Sequence, residues 1–287
     1  MNSLNKEGRE CVLNTIQSYD NRPIGVFDSG LGGLTAVKEL TRIFPNENII
    51  YFGDTGRVPY GTRSEETIIK YVRQDIRFLM SHNVKAVVAA CGTASSVALN
   101  HLKNEFPVEL IGVLEPVCTA ALKKTKNHKI GVLGTPGTIN SGAYSAGIQK
   151  LNSAVTVIEQ ACPMFVPLVE NGYLTHPATY LFAEEYLKPL MEKQVDTVIL
   201  GCTHYPLLET VITEILGDSV TVINAGYETA LHTKQILKEK NMLSSQTECG
   251  NHTYYVSDDV AKFSCLGGMF LGKKIKAAVS KIDIDTY

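Results

Sequence analysis

The stretch VVAACGTASSVAL, Val87 to Leu99, decides how this chain is read. Val87–Ala90 is short, apolar and β-branched at its start, which predicts a buried strand. Ala94–Asn100 reads as the first turns of a helix. Cys91 therefore falls at a strand-to-helix turn, beside backbone N–H groups that lack an intrahelical partner. Those groups stabilise a thiolate. A structural cysteine more often sits inside a strand or a helix, so this placement asks for a chemical reason.

The same alternation extends in both directions. Apolar strand-like runs are IGVF (24–27), NIIYF (48–52), KAVVAA (85–90), LIGVL (110–114), KIGVLG (129–134), AVTVIE (154–159), DTVILG (196–201) and VTVIN (220–224). Amphipathic stretches such as SEETIIKYVRQDIRFLMSH and PATYLFAEEYLKPLMEK separate many of them. Alternating β and α predicts mainly parallel sheets with helices on both faces. Ligands bind such folds at the carboxyl ends of strands, and Cys91 is at such an end. No low-complexity linker interrupts the chain, so any domain boundary is a compact crossover, expected near Pro116 and again near Asn224.

A faint internal repeat runs through this pattern. PIGVFDSGLGGLT (23–35) and KIGVLGTPGTINS (129–141) are each a strand followed by a loop rich in glycine and hydroxyls. Later in each half a cysteine follows a strand, in VVAACGTAS and in VILGCTHYP. Two readings stand. All α/β units look alike, or two related halves face each other, each contributing one hydroxyl-rich loop and one thiol.

The chain has 287 residues, enough for one large α/β domain or two smaller ones. Its 27 basic and 29 acidic side chains leave a net charge of −2, which argues against nucleic acid as a partner. No apolar run is long enough to span a bilayer. Residues 1–21 read as a polar extension without a signal-peptide core. Seven cysteines with no CxxC pair predict a reduced, cytosolic protein.

Four constellations could carry chemistry. In VFDSGLGGLT, Asp28 and Ser29 come directly off a strand and precede a helix expected near Gly33. The loop fails as a dinucleotide fingerprint, because Thr35 stands at the third position, and it lacks the GK[ST] of a P-loop. A carboxylate-binding loop fits better; the plain alternative for Asp28 is a helix N-cap. In GDTGRVPYGTRS (53–64), Tyr60 and Gly61 could present a phenol and a backbone N–H to a ligand, or the loop is a surface connection. In GCTHYPLL (201–208), Cys202 ends a strand, with Thr203 and His204 next. A Cys-x-His spacing admits zinc, yet no third or fourth ligand clusters with it, so no metal is expected. A Cys–His nucleophile pair or a buried cysteine with a capping threonine are the alternatives. In CPMFVPLVENG (162–172), Glu170 ends an apolar, proline-punctuated run and would by itself be a surface residue. Cys11, Cys118, Cys162, Cys249 and Cys265 sit in no comparable turn.

Two activated thiols, one per half, allow a proton to be taken from one face of a carbon and returned to the other, inverting the centre. That needs one thiolate and one thiol. A helix N-terminus contributes only about 0.3–1 kcal/mol, so modest acidification is expected. Asp28 and Glu170 would push the other way. His204 could relay a proton or steady the second thiol. Ser29, Thr93, Thr135 and Thr138 supply hydroxyls for an amino-acid carboxylate, with few cations to over-stabilise the thiolates.

FDSGxGGLT, YFGDTxRVPYG, Cys-x-Thr-Ala-Ser, GVLEP, GTxxTxxSxxY, CPxFVPLVE and LGCTHYPLL occur here in that order. Together, across roughly residues 22–225, they resemble the glutamate racemases, with a compatible helical remainder after them. The resemblance implies two α/β domains related by a pseudo-twofold, a cleft site between them, no cofactor, and frequent homodimers. The division it implies is 22–115 with 225–287, and 116–224. It implies interconversion of L- and D-glutamate, with D-glutamate destined for bacterial peptidoglycan. Carried over by position, Cys91 would be the base toward D-glutamate and Cys202 the base toward L-glutamate. Asp28 would assist the first, and Glu170 and His204 the second. Ser29, Tyr60, Gly61, Thr93, Thr135, Thr138 and Thr203 would hold the substrate. The family usually has Asn directly after the first cysteine; this chain has Gly92, which either leaves that role to a water or the backbone N–H, or weakens affinity, or shifts specificity. The rivals are an aspartate racemase using the same thiols, a cysteine hydrolase or lyase that needs only one of them, and a binding protein that leaves the α-proton in place.

Overall fold

The computed structural model describes residues 19–287. Cys11 and all but the last three residues of the extension expected over 1–21 lie outside the described residues. Among the described residues there are ten strands: β1 Ile24–Asp28, β2 Ile49–Gly53, β3 Ala86–Ala89, β4 Glu109–Gly112, β5 Lys129–Gly134, β6 Thr156–Ala161, β7 Thr197–Leu200, β8 Thr221–Asn224, β9 His252–Val256 and β10 Val279–Lys281. They form two separate sheets, in the order β10-β9-β2-β1-β3-β4 and β6-β5-β7-β8. Every pairing is parallel. The central strands β1, β3 and β7 are buried at every position, because helices cover both faces of a parallel sheet.

The half-repeat is real in space. Without its two added strands the first sheet runs β2-β1-β3-β4, and the second runs β6-β5-β7-β8. Asp28 ends β1 and Thr135 follows β5; Cys91 comes after β3 and Cys202 after β7. Each pair occupies corresponding places beside the strand-order reversal, where this class of fold binds ligands. Between the sheets, the helices Leu114–Lys124 and Ala225–Glu239 carry the chain across. The crossovers expected near Pro116 and Asn224 are therefore helix starts. Pro116 lies in the first turn, where its missing N–H costs nothing. Asn224 caps the second helix by accepting from the Tyr227 N–H at 3.2 Å.

Two expectations are corrected. The remainder after residue 225 is not purely helical: β9 and β10 extend the first sheet, with β9 parallel to β2. HTYYV makes a strand because Tyr254 and Val256 find buried places beside β2, a long-range pairing that no local periodicity announces. The strand expected over 154–159 is shifted to Thr156–Ala161 by its register against β5.

The end of the first sheet remote from Cys91 is held by a buried ion pair. Lys85, just before β3, donates to Glu47 Oε2 at 2.5 Å and to the carbonyls of Asp20 and Met242 at 2.6 and 2.7 Å. Glu47 Oε1 accepts from the Ser244 N–H at 2.7 Å. All three ammonium protons are thus used, and the pair ties three distant segments to one strand end. Lys85→Met would leave Glu47 buried and unpaired. Urea unfolding is expected to show a loss of about 3–5 kcal/mol, with turnover by the folded fraction unchanged.

Candidate active site

The carboxyl ends of the two sheets face one another, and their loops meet at backbone distance. A Cβ on Gly92 would fall on the Gly201 carbonyl oxygen, and one on Gly32 would overlap the Thr203 hydroxyl and the His204 ring. A Cβ on Gly137 would lie 2.7 Å from the Gly61 carbonyl oxygen. These glycines are what lets the seam close.

Cys91 is the N-cap of the helix Gly92–Val97: its sulfur accepts from the Ala94 N–H at 3.5 Å. Its thiol points to Ser29 Oγ at 3.6 Å. Asp28 is buried; its Oδ2 accepts from the Gly30 N–H at 2.9 Å, and its Oδ1 from the Thr203 hydroxyl of the other half at 3.3 Å. Thr35 reinforces that crossing by donating to the Thr203 carbonyl at 3.0 Å. Asp28 is not the N-cap residue; Gly33 holds that position of the helix Leu34–Ile43, and its N–H bonds the Asp28 carboxylate.

On the other side, Cys202 Sγ lies 4.0 Å from His204 Nδ1. His204 Nε2 is 3.2 Å from Glu170 Oε1, and Lys262 donates to Glu170 Oε2 at 3.0 Å. Glu170, next to an ammonium, accepts the imidazole N–H. Nδ1 is then the ring atom that faces the Cys202 sulfur. Lys262 belongs to the helix Val260–Leu271. Sequence reasoning missed it, because nothing local distinguishes it from other lysines.

A ring of hydroxyls spans the seam. Thr93 Oγ1 is 3.0 Å from Thr135 Oγ1 and 3.2 Å from Thr138 Oγ1, which are 3.0 Å from each other. The structure thus brings Asp28, Ser29, Cys91, Gly92, Thr93, Thr135, Thr138, Glu170, Cys202, Thr203 and His204 to one seam. Gly61 joins them against Thr135. The Tyr60 phenol does not: it is buried and turned toward Asp54 and Asp75, at 2.5 and 2.9 Å. The backbone turns the ring inward just where it delivers Gly61 to the seam.

Burial overrides the expected acidification of the thiols. It pushes Cys91 up to about 11, with the Asp28 charge adding to the rise and the Ala94 N–H opposing it. Cys202 is pushed well above the ordinary thiol range, first by burial and then by Cys91 and Asp28. Burial also raises Asp28, against the pull of His204 and the Gly33 and Gly30 N–H groups. Glu170 goes the other way, down to about 2, because His204 and Lys262 bond its ionised form against the cost of burial. Beside Cys202, between Gly92, Gly201 and Ala225, the space left is about 10 Å³, room for one water at most. A larger cavity of about 590 Å³ opens at the seam around Gly61, Arg63, Ser96, Gly137 and Asn140.

Two related parallel α/β halves, each with a cysteine just after a facing strand end, make the two-domain fold of the racemases, a class of isomerase. The chain belongs to the Asp/Glu/Hydantoin racemase family, whose model matches residues 32–230. It is 45% identical over 254 residues to a glutamate racemase of Geobacter metallireducens, covering 88% of this chain and 94% of that one. The crystal structure of a Bacillus anthracis glutamate racemase superposes with a TM-score of 0.88 at 38% identity, covering 92% of this chain and 98% of that one. A Francisella tularensis glutamate racemase solved with D-glutamate gives 0.87 at 38% identity, covering 93% and 100%.

Two outcomes follow from this geometry. Gly92→Ala, and more so Gly92→Asn, would hold the halves apart. A larger radius of gyration in X-ray scattering is expected, with kcat/KM lower by roughly tenfold or more; Gly92→Asn at parental turnover would show that the seam tolerates the amide. Lys262→Met removes a group that holds Glu170 ionised. Its stability deficit should be fully present above the unfolded carboxylate value of about 4.3. The deficit should close as pH falls toward about 2. Thermal melts down that pH range measure it.

Proposed function

We propose that this protein interconverts L- and D-glutamate without a cofactor, using Cys91 and Cys202 as the two bases. The observation that carries the reading is the equivalence of the two thiols, one after β3 and one after β7, in loops that meet across the seam. The names of the relatives supply the substrate. The thiolate of one cysteine takes the α-proton, the electron pair stays on the α-carbon as a carbanion, and the opposite thiol returns a proton to the other face. The cysteines then stand exchanged in protonation, and the reverse reaction begins from that state.

The surroundings fit this division of labour. Asp28 assists at Cys91, and the Glu170–His204 pair assists at Cys202. A thiolate in a dry site is a strong base, because burial disfavours its charge; the cost is a small thiolate fraction before substrate binds. Ser29, Gly61, Gly92, Thr93, Thr135, Thr138 and Thr203 offer hydroxyls and backbone N–H groups to the carboxylates. The space beside Cys202 holds one water at most, so binding an amino acid there would require the loops around it to part, and closure then expels water. The product D-glutamate would serve peptidoglycan synthesis in the cytoplasm, and the acting species would be a homodimer.

Incubation with each glutamate enantiomer in D2O tests the reading by NMR and optical rotation. The parent is expected to incorporate deuterium and racemise, and Cys91→Ser and Cys202→Ser are each expected to lose about three orders of magnitude or more in turnover. Racemisation that survives loss of Cys202 would point to one-thiol chemistry; faster exchange of aspartate than glutamate would reassign the substrate.

A further inference from the structure

The loop that delivers Gly61 to the seam is anchored by a buried polar cluster with no part in the chemistry above. Asp54 and Asp75 are both fully buried. Asp54 follows β2, and Asp75 lies in the helix Glu65–Ser81. Asp54 Oδ2 accepts from Arg57 Nε at 2.7 Å and lies 2.5 Å from the Tyr60 hydroxyl, while its Oδ1 accepts from Ser257 Oγ at 2.8 Å. Asp75 Oδ1 faces Arg57 Nη2 at 3.1 Å, and its Oδ2 lies 2.9 Å from the same Tyr60 hydroxyl.

The protons do not suffice if both acids are ionised. A phenol has one proton and can donate to one carboxylate. Asp54, accepting from Arg57 and Ser257 and at the shorter distance, is the natural acceptor. The Asp75–Tyr60 contact then needs a proton of its own. We infer that Asp75 is a neutral acid that donates to Tyr60, which donates to ionised Asp54, and that this chain makes Asp75 a positioning residue for the seam loop 53–64. Charge agrees: Arg57 balances one carboxylate. Burial holds Asp75 well above the ordinary carboxylate range, Asp54 adds to the rise, and Arg57 only partly opposes it. The other groups facing the cluster do not replace the missing proton. The Arg57 guanidinium lies over the Tyr71 ring at 4.1 Å. Gln74 accepts from Arg57 Nη1 at 2.6 Å and donates to the Ile284 carbonyl at 3.4 Å. Asp285 is exposed, 3.7 Å from Arg57 Nη1, and the charge of Asp28 acts from further off.

Three variants of the full chain test this: Asp75→Asn, Asp75→Leu and Asp54→Asn. Asn at 75 can donate from its amide nitrogen to Tyr60 and accept from Arg57, so KM and kcat for glutamate should stay within about twofold of the parent. Asp75→Leu removes the donor, and Asp54→Asn leaves Arg57 without its anion; both should raise KM roughly tenfold, with a smaller change in kcat. The kinetic readout rests on the proposed substrate; the second readout does not. The unfolded Asp75 ionises near pH 3.9 while the folded one keeps its proton, so the parent should lose stability relative to Asp75→Asn as pH rises from about 4 to about 7. A melting-temperature difference that stays constant over that range overturns the inference, as does Asp75→Asn raising KM as much as Asp54→Asn. If the parent fails to turn glutamate over while the melting difference shifts as expected, the inference stands and the substrate reading fails.

Discussion

Gly92 meets the Gly201 carbonyl at a distance that no side chain survives, and the reactive groups are gathered around that contact. A wider approach at that point would open the two thiols to water. With the contact made, each half lines the seam beside the other's cysteine. Asp28 of the first half is bonded to Thr203 of the second, and Thr93 of the first to Thr135 and Thr138 of the second. The seam is strict in geometry: it depends on missing Cβ atoms at several positions and on hydroxyls short enough to meet across it.

The same closure sets the electrostatics. Burial is the largest influence on both cysteines, and it outweighs the backbone N–H groups at the strand ends. The sequence places a helix N-terminus behind Cys91, and the structure keeps it, yet that helix is one short segment, Gly92–Val97. Its field is worth less than the solvation the thiolate gives up. The halves differ in how they support their thiols: Cys91 has a buried carboxylate nearby, while Cys202 has an imidazole braced by Glu170 and Lys262. That asymmetry fits the proposed use of the two thiols on opposite faces of one carbon.

Remote parts of the fold serve the seam through rigidity. The Lys85–Glu47 pair fixes the far end of the first sheet, and the Asp54–Tyr60–Asp75 cluster fixes the loop that carries Gly61. In both, buried polar groups are fully bonded, as such groups must be. Neither cluster touches the thiols. Each joins segments that lie far apart in sequence, so that the strand ends arrive at the cleft in one arrangement.

The sequence by itself determined the alternation of strand and helix, the eight strands of the repeated core, and the two cysteines at equivalent turns. These were legible because burial on both faces writes apolar runs, and because a turn after a strand is marked by glycine and hydroxyl residues. The tertiary structure alone decided the rest. It placed β9 and β10 in the first sheet through pairing that spans much of the chain, and it brought Lys262 to Glu170 from a helix with no local signal. It turned Tyr60 away from the cleft and toward two acids, and it raised the thiols that local sequence expects to be acidified. Hydrophobic period and turn chemistry are local properties of a chain. Desolvation, proton sharing and strand neighbours depend on which distant segment arrives alongside, and only the packed molecule settles that.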